Sequence, residues 1–260
     1  MNLPQLTIQG EGQPFIWLHG MLNSVKSDSL YSLVNFNEVA KMASVIRYDA
    51  CGKSVIGNYK WDAMADHLNE MADVYKFDPV IVGGTSMGSV TALHFAVKYP
   101  EKVKALILVT PPHAWETREG VKAVYRKIAS KTNQSTIPEF LKRLICLTQD
   151  PPDFFENEHP GTRERMTECR LGFDPLYYSQ IYTGGAASDL PSREEIAKIK
   201  VPTLIVGLVN DENHPLGIAH ELNELIIRSE LSVISDYTGY LQLQEKVHEF
   251  LKNIDRNNKL

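Results

Sequence analysis

Short apolar runs recur along the chain and are rich in Val, Ile, Leu and Phe. They predict β-strands near residues 6–8, 15–18, 44–48, 80–83, 105–110, 203–207 and 232–235. Most runs are separated by segments in which apolar residues return every three to four positions, a spacing typical of amphipathic helices, notably over residues 61–75, 89–99 and 216–227. This alternation predicts an α/β protein with a mostly parallel central sheet that helices flank on both faces.

The strand pattern stops between residues 111 and 195, where helical patterns over 121–131 and 137–147 are interrupted by Pro, Gly and aromatic residues. This segment leaves the sheet after one strand and returns before the last two. We therefore expect a helical lid above the carboxyl ends of the strands, where open α/β sheets bind ligands. The predicted division is a core of residues 1–110 and 196–260 and a lid of residues 111–195. Aromatic residues of this segment either line a pocket or form the core of the lid.

Composition narrows the possible functions mainly by exclusion. The 260 residues, 43% of them hydrophobic, suffice for one domain with a full core. A net charge of -5 gives no general affinity for nucleic acid or for a membrane surface. Three widely spaced cysteines, Cys51, Cys146 and Cys169, indicate neither a disulfide framework nor a metal site. No signal peptide and no membrane-spanning stretch is visible, so we expect a cytoplasmic protein.

The segment Gly84-Thr85-Ser86-Met87-Gly88 directly follows the apolar run 79–83 and precedes a helical pattern. It predicts a strand, a sharp turn and a helix. A serine at such a turn adopts a strained backbone conformation, for which the small residues Gly84 and Gly88 leave room. The turn lifts the Ser86 hydroxyl above the sheet, where it is a candidate nucleophile. The alternative is an ordinary glycine-rich turn between a strand and a helix.

Three further stretches, taken together with the Ser86 turn, resemble the sequence pattern of one protein family. His19-Gly20 ends the strand 15–18, the stretch 47–54 follows the strand 44–48, and Asp211 follows the strand 203–207. With the Ser86 turn, they resemble the α/β-hydrolase family over nearly the whole chain. The family usually has a longer form of the 47–54 loop, and Ser54 is given a structural role. The resemblance implies an α/β-hydrolase fold and a small-molecule substrate, with no metal or organic cofactor.

The resemblance also implies roles for the residues around Ser86. Ser86 is the nucleophile, and the backbone N–H groups of Met21 and Met87 form an oxyanion hole. Fixed donors of this kind stabilise the charge on the oxygen of a tetrahedral intermediate by about 3 kcal/mol each. His19 shapes the loop and does not act as a base.

The acid and the base of the predicted catalytic triad match the family pattern less closely than Ser86 does. The resemblance implies Asp211 as the acid, with Asn210 and Glu212 beside it as neighbouring possibilities. The family's catalytic histidine usually follows a Gly in the loop after the last strand, and here Tyr240 occupies that place. A phenol with a pKa near 10 is a poor general base at neutral pH. Either the base has moved or the triad is broken.

His214 is the preferred base, because it lies three residues after Asp211 on the same loop and a local turn can bring the two side chains together. Whether it reaches the Ser86 hydroxyl does not follow from the sequence. The alternatives are that His113 or His159 is the base, or that no histidine is. The remaining candidates fall within helical patterns and are best explained as core or surface residues: His67, His94, His220 and His248. The predicted substrate pocket consists of His19, Gly20, His113, Trp115 and Tyr240.

The predicted function is that of a serine hydrolase that cleaves a small carboxylic ester, thioester or lactone through an acyl-enzyme on Ser86. The main alternative, suggested by Tyr240, is a catalytically impaired protein of the same fold that binds a small ligand under the lid. Lyase or acyl-transfer chemistry is a third possibility, because one scaffold hosts many functions. The oligomeric state is not predicted.

Overall fold

The computed structural model describes residues 4–49, 58–132, 137–147 and 151–256. In this part of the chain, seven strands form one sheet in the order β1-β3-β2-β4-β5-β6-β7. Their bounds are β1 Leu6–Gln9, β2 Pro14–Leu18, β3 Ser44–Tyr48, β4 Val80–Thr85, β5 Val103–Val109, β6 Thr203–Leu208 and β7 Ser229–Ile234. Only β1 runs antiparallel to its neighbour, and the other pairs are parallel. The predicted α/β fold with a mostly parallel sheet is confirmed. The predicted roles of Cys51 and Ser54 fall outside the described residues.

The helices that the structure describes follow in chain order. They are α1 Val25–Asp28, α2 Phe36–Val39, α3 Trp61–Tyr75, α4 Met87–Lys98, α5 Arg118–Thr132, α6 Glu139–Leu147, α7 Asp153–Glu158, α8 Thr162–Leu171, α9 Pro175–Ala186, α10 Arg193–Ile196, α11 Leu216–Leu225 and α12 Tyr237–Arg256. In the described part of the chain, none of them combines the length and the apolar character needed to cross a membrane.

The central strands are buried on both faces, and alternate residues enter two separate cores. On one face, strand residues such as Ile16 and Val82 pack with helices α3, α4 and α11. On the other face, Phe15 and Ile81 pack with α2 and the apolar side of α12. Helices on both faces explain why these strands are almost continuously apolar instead of alternating with polar residues.

The register of the parallel strands places several chain segments at one edge of the sheet. Leu18 of β2 lies opposite Gly84 of β4, and Thr85 lies opposite Val109 of β5. Val109 in turn lies opposite Val206 of β6. The loop after β2, the turn after β4 and the loop after β6 therefore meet at the carboxyl ends of the strands, where open α/β sheets bind ligands.

The residues between β5 and β6 form the helical insertion, which comprises α5 to α9 and the short helix α10. Helices α5 and α9 pack against each other. Phe155, Tyr177 and Tyr178 are buried within the protein. The thiols of Cys146 and Cys169 are both free, and Cys146 is buried. The role of this insertion as a lid stays a prediction.

Candidate active site

Ser86 occupies the turn between β4 and α4, with φ 52° and ψ -116°. A residue other than glycine rarely adopts such a conformation, which costs on the order of 1–3 kcal/mol. Hydrogen bonds on both sides of the residue hold it in place. The Ser86 amide donates to Val109 O (2.9 Å), and Ser86 O accepts from the backbone amide (3.0 Å) and the hydroxyl (2.7 Å) of Ser89. The turn is thus fixed by β5 and by the first turn of α4.

Gly84 and Gly88 make the turn possible because they allow backbone to approach backbone. A Cβ atom on Gly88 would lie 2.0 Å from the carbonyl oxygen of Leu18, and one on Gly84 would lie 2.5 Å from the carbonyl carbon of Gly88. Neither neighbour is the flexible end of a side chain. Relief would require β2, β4 and α4 to move apart.

We expect Gly88→Ala to destabilise the protein by at least about 3 kcal/mol or to prevent folding, because overpacking against backbone cannot be relieved by a rotamer change. Denaturant unfolding measures the effect. The matched control is Gly120→Ala in α5, where nothing lies within 4 Å of the added Cβ. This control should keep or raise stability by up to about 1 kcal/mol. An unfolding midpoint of Gly88→Ala equal to that of the wild type would contradict the close approach of α4 to β2.

The loop after β6 brings Asp211 and His214 together within a single turn. Asp211 Oδ1 accepts hydrogen bonds from the backbone amides of Asn213 (3.0 Å) and His214 (3.2 Å). Asp211 Oδ2 lies 2.7 Å from His214 Nδ1. Burial raises the pKa of the Asp211 carboxyl, but the hydrogen bonds from His214 and from the two amides outweigh it, so the pKa lies below its ordinary value. The carboxylate is therefore ionised and accepts the Nδ1–H of His214.

The other ring nitrogen of His214 reaches the turn after β4. His214 Nε2 lies 2.8 Å from Ser86 Oγ. Because Nδ1 donates to Asp211, Nε2 is left as the acceptor for the Ser86 hydroxyl. Carboxylate, imidazole and hydroxyl thus form one hydrogen-bonded chain, the arrangement that activates a serine for attack on a carbonyl carbon.

Met21 and Met87, the two residues predicted to form the oxyanion hole, are both buried. Met87 is the first residue of α4, and the first four amides of a helix have no acceptor within it. Met21 belongs to the turn after β2, which the hydrogen bond from Asn23 N to Gly20 O closes (3.1 Å). A Cβ on Gly20 would lie 3.1 Å from the Thr85 side chain, so this turn packs against the residue that precedes Ser86. Their function as an oxyanion hole remains a prediction.

A cavity of about 110 Å³, here called the catalytic cavity, opens beside Ser86, Asp211 and His214. The helical insertion contributes Pro152, Met166 and Arg170 to its wall. The polar residues in its wall that the sequence analysis did not identify as site residues include Asn23, Asp28, Tyr31, Ser32, Thr110, Arg170 and Asn213. Arg170 is buried, and its Nη1 donates to Cys146 O (2.8 Å) while Nε (3.4 Å) and Nη2 (3.3 Å) approach Asn23 Oδ1. It thus joins the insertion to the turn after β2.

A family model described as alpha/beta hydrolase fold matches residues 13–245. This chain belongs to the α/β-hydrolase family. Among the described residues of this α/β hydrolase, no three His, Cys, Asp or Glu side chains lie close enough together to hold a metal ion.

Several proteins that are similar to this chain in sequence or in fold are named as hydrolases or esterases. It is 27% identical over 254 residues to the AB hydrolase superfamily protein YisY of Bacillus subtilis (strain 168), covering 93% of this chain and 91% of that protein. It is 25% identical over 243 residues to the 2-hydroxy-6-oxo-2,4-heptadienoate hydrolase of Pseudomonas putida, covering 91% and 86%. A thermophilic esterase from Thermogutta terrifontis shares the fold, with a TM-score of 0.80, 22% identity and coverage of 96% and 93%. The family supports hydrolase activity on a small molecule.

Tyr240 does not lie in a loop in this α/β hydrolase. Only residues 235–236 connect β7 to α12, so the expectation of a loop around Tyr240 is wrong and Tyr240 belongs to the first turn of α12. Its ring packs against Phe155, with centroids 5.5 Å apart. Tyr240 is not among the described residues that line the catalytic cavity. Residues 235–247 contain no histidine, so the start of α12 supplies no base for Ser86.

Two of the predicted pocket residues lie in the turn after β2. Gly20 lines the catalytic cavity. His19 is buried next to it and lines a separate cavity with residues of α3. Its Nδ1 donates to Gly20 O (2.8 Å). We therefore correct the pocket prediction for His19, which supports the turn and, in the part of the chain described, is not in the wall of the catalytic cavity.

The two predicted pocket residues from the helical insertion also lie elsewhere. His113 Nε2 donates to Glu212 O (2.9 Å), a contact that braces the loop between Asp211 and His214. Trp115 donates from its indole Nε1 to Pro191 O (3.0 Å), which ties together the two ends of the insertion. Neither residue is among the described residues that line the catalytic cavity, and the pocket prediction is corrected for both.

Proposed function

We propose that this α/β hydrolase is a serine hydrolase that cleaves a small carboxylic ester, thioester or lactone through an acyl-enzyme on Ser86. The observation that carries the proposal is the 2.8 Å distance from His214 Nε2 to Ser86 Oγ, together with the 2.7 Å distance from His214 Nδ1 to Asp211 Oδ2. A histidine from the loop after β6 thus takes the place of the one that Tyr240 displaces.

The first half of the reaction acylates the serine. Ser86 Oγ attacks the carbonyl carbon of the substrate while His214 Nε2 takes its proton, and Asp211 stabilises the imidazolium that forms. The carbonyl oxygen becomes an oxyanion, which the backbone N–H groups of Met21 and Met87 bind. The intermediate collapses when His214 returns the proton to the departing alkoxide or thiolate, which leaves as an alcohol or thiol.

The second half releases the acid. A water molecule gives a proton to His214 as its oxygen attacks the acyl carbon, and the second tetrahedral intermediate expels Ser86 Oγ, which recovers the proton. In this scheme the helical insertion acts as a lid, which is supported by the position of Pro152, Met166 and Arg170 in the wall of the catalytic cavity. The alternative of a binding protein without catalysis loses its support, since it rested on the lack of a histidine near Ser86.

A fluorophosphonate probe tests the proposal directly, because it labels serines that a neighbouring base activates. We expect stoichiometric labelling of the wild type at pH 7.5 and none of Ser86→Ala, with mass spectrometry locating the adduct on the peptide that contains Ser86. Ser86→Ala should also fail to hydrolyse p-nitrophenyl acetate. A wild-type protein that takes up no probe would contradict the proposal.

A further inference from the structure

A second cavity, of about 200 Å³, adjoins the catalytic cavity. Asp28, Tyr31 and Ser32 line both, so these side chains form a shared wall. Beyond that wall, the second cavity is bounded by Arg47 at the end of β3, by α2 and by Tyr240 at the start of α12. No step of the proposed reaction uses it.

Arg47 is the basic residue among the described residues that line this cavity. It is 8% exposed, and its guanidinium lies over the Phe36 ring at 4.5 Å. Nη1 donates to Ser29 Oγ (3.0 Å), whereas Nε is buried without a hydrogen-bond partner. Among the described residues, Arg47 forms no salt bridge, and the carboxylate that acts on its charge from a greater distance is that of Asp28, which opposes the lowering of the Arg47 pKa by burial. Arg47 is therefore a buried cation with N–H donors to spare.

A buried guanidinium of this kind is costly unless an anion meets it, because desolvation of a charge is compensated only by pairing and hydrogen bonding. Arginine presents five N–H donors in a planar fork that matches the two oxygens of a carboxylate. The register gives the direction from Ser86. Arg47 lies opposite Trp17, and Trp17 lies opposite Gly83, three residues before Ser86. Two strand spacings are about 10 Å across the sheet, and the three residues from Gly83 to Ser86 add up to roughly 10 Å along it.

We propose that the second cavity binds a carboxylate carried by the substrate, with Arg47 as its anchor and the scissile carbonyl at Ser86. This proposal rests on the proposed function, because it assigns the far end of the molecule that Ser86 attacks. The substrate class is then the half-ester or half-thioester of a dicarboxylic acid, or the lactone of a hydroxy-dicarboxylic acid.

Asp28, on the wall that the two cavities share, makes the binding of a substrate carboxylate depend on pH. Its Oδ2 accepts from Trp17 Nε1 (3.0 Å), and the charged groups around it are His19, Arg47 and Arg170. Burial raises the pKa of the Asp28 carboxyl to about 6, although these neighbours and the indole N–H oppose the rise. A substrate carboxylate meets less repulsion when Asp28 is protonated. Binding of the anion should therefore weaken as the pH rises through about 6, whereas binding of a neutral ester should not.

The test compares monomethyl esters of the C4 to C7 dicarboxylic acids with neutral methyl esters of equal chain length. The measured quantity is the ratio of kcat/KM between the two members of each pair. We expect Arg47→Met to lower this ratio by about 10- to 100-fold at the best chain length, the size of a lost charge-assisted hydrogen bond. Arg47→Lys should recover part of it, because the charge remains while the fork is lost. Lys26→Met removes an exposed charge from α1 and should keep the wild-type ratio.

Binding to Ser86→Ala, measured by calorimetry, tests the subsite without any turnover. The carboxylate ester should bind less tightly when Arg47→Met is added, and adding Asp28→Asn should remove the decline in its binding between pH 5.5 and 8. If no ester is hydrolysed by the wild type but these binding differences are found, the proposed function fails and the subsite stands. Equal losses for charged and neutral esters in Arg47→Met would show a purely structural arginine and overturn the proposal.

Discussion

Replacing Ser86 with alanine is expected to lower kcat for a small ester by about five to six orders of magnitude, the loss typical of removing the nucleophile from a working triad. The reason is chemical: without Oγ no acyl-enzyme forms, and only the polar surroundings and substrate binding remain to accelerate attack by water. Steady-state hydrolysis of p-nitrophenyl acetate measures the loss, with the enzyme concentration raised for the variant.

Ser89→Ala is the matched control for this variant. It removes a neighbouring hydroxyl that donates to Ser86 O (2.7 Å) and so loosens the turn without removing the reacting atom. We expect at most about a tenfold loss, in line with one hydrogen bond. Both variants should keep the unfolding midpoint of the wild type within a few degrees. Equal kcat losses in the two serine variants would show that the turn, and not the Ser86 hydroxyl, is what the activity depends on.

Replacing His214 with alanine is expected to lower kcat by about five orders of magnitude, because a triad acts as a unit and the unassisted Ser86 hydroxyl is a weak nucleophile. Asp211→Asn should cost about four orders of magnitude, since the amide favours the wrong tautomer of the imidazole. Fluorophosphonate labelling rates should fall in parallel. A wild-type labelling rate in His214→Ala would identify another base.

The companion experiment adds Tyr240→His to His214→Ala. The position of the usual family histidine is thereby restored in sequence, but we expect no recovery of activity. Tyr240 lies in the first turn of α12 and packs against Phe155, and only residues 235–236 connect α12 to β7. Tyr240 is not among the described residues that line the catalytic cavity, so a histidine at this position is not placed beside Ser86 Oγ. Recovered turnover would mean that the start of α12 unwinds.

Local patterns were sufficient to predict the strands, the main helices and the turn at Ser86. Apolar runs specify buried strands wherever they occur, and two glycines around a serine specify a close approach of backbone to backbone. The pairing of Asp211 with His214 was likewise predictable, because the two residues are three positions apart and a single turn joins them.

The contact between His214 and Ser86 could not be predicted in the same way. These residues are 128 positions apart, and their distance depends on the register of β4, β5 and β6. The start of α12 differs from the expected loop, which followed from the family pattern of a Gly before the catalytic position, here Gly239 before Tyr240. Asp236 was the overlooked signal, since its Oδ1 accepts from Gly239 N (2.8 Å) as a helix-capping aspartate does. Arg47 gave no signal, because a single arginine at a strand end is ordinary until its burial is known.

The short turn from Asp211 to His214 has an evolutionary consequence. Acid and base are usually contributed by separate loops, so an insertion or deletion in one loop leaves the other in place. In the proposed mechanism Asp211 and His214 lie on one short peptide segment, so acid and base would be inherited, lost or transplanted together. Under the proposed mechanism the segment after β7 carries no catalytic residue and can change without loss of activity, and the loop between β6 and α11 could be grafted as one segment into a relative that lacks its own histidine.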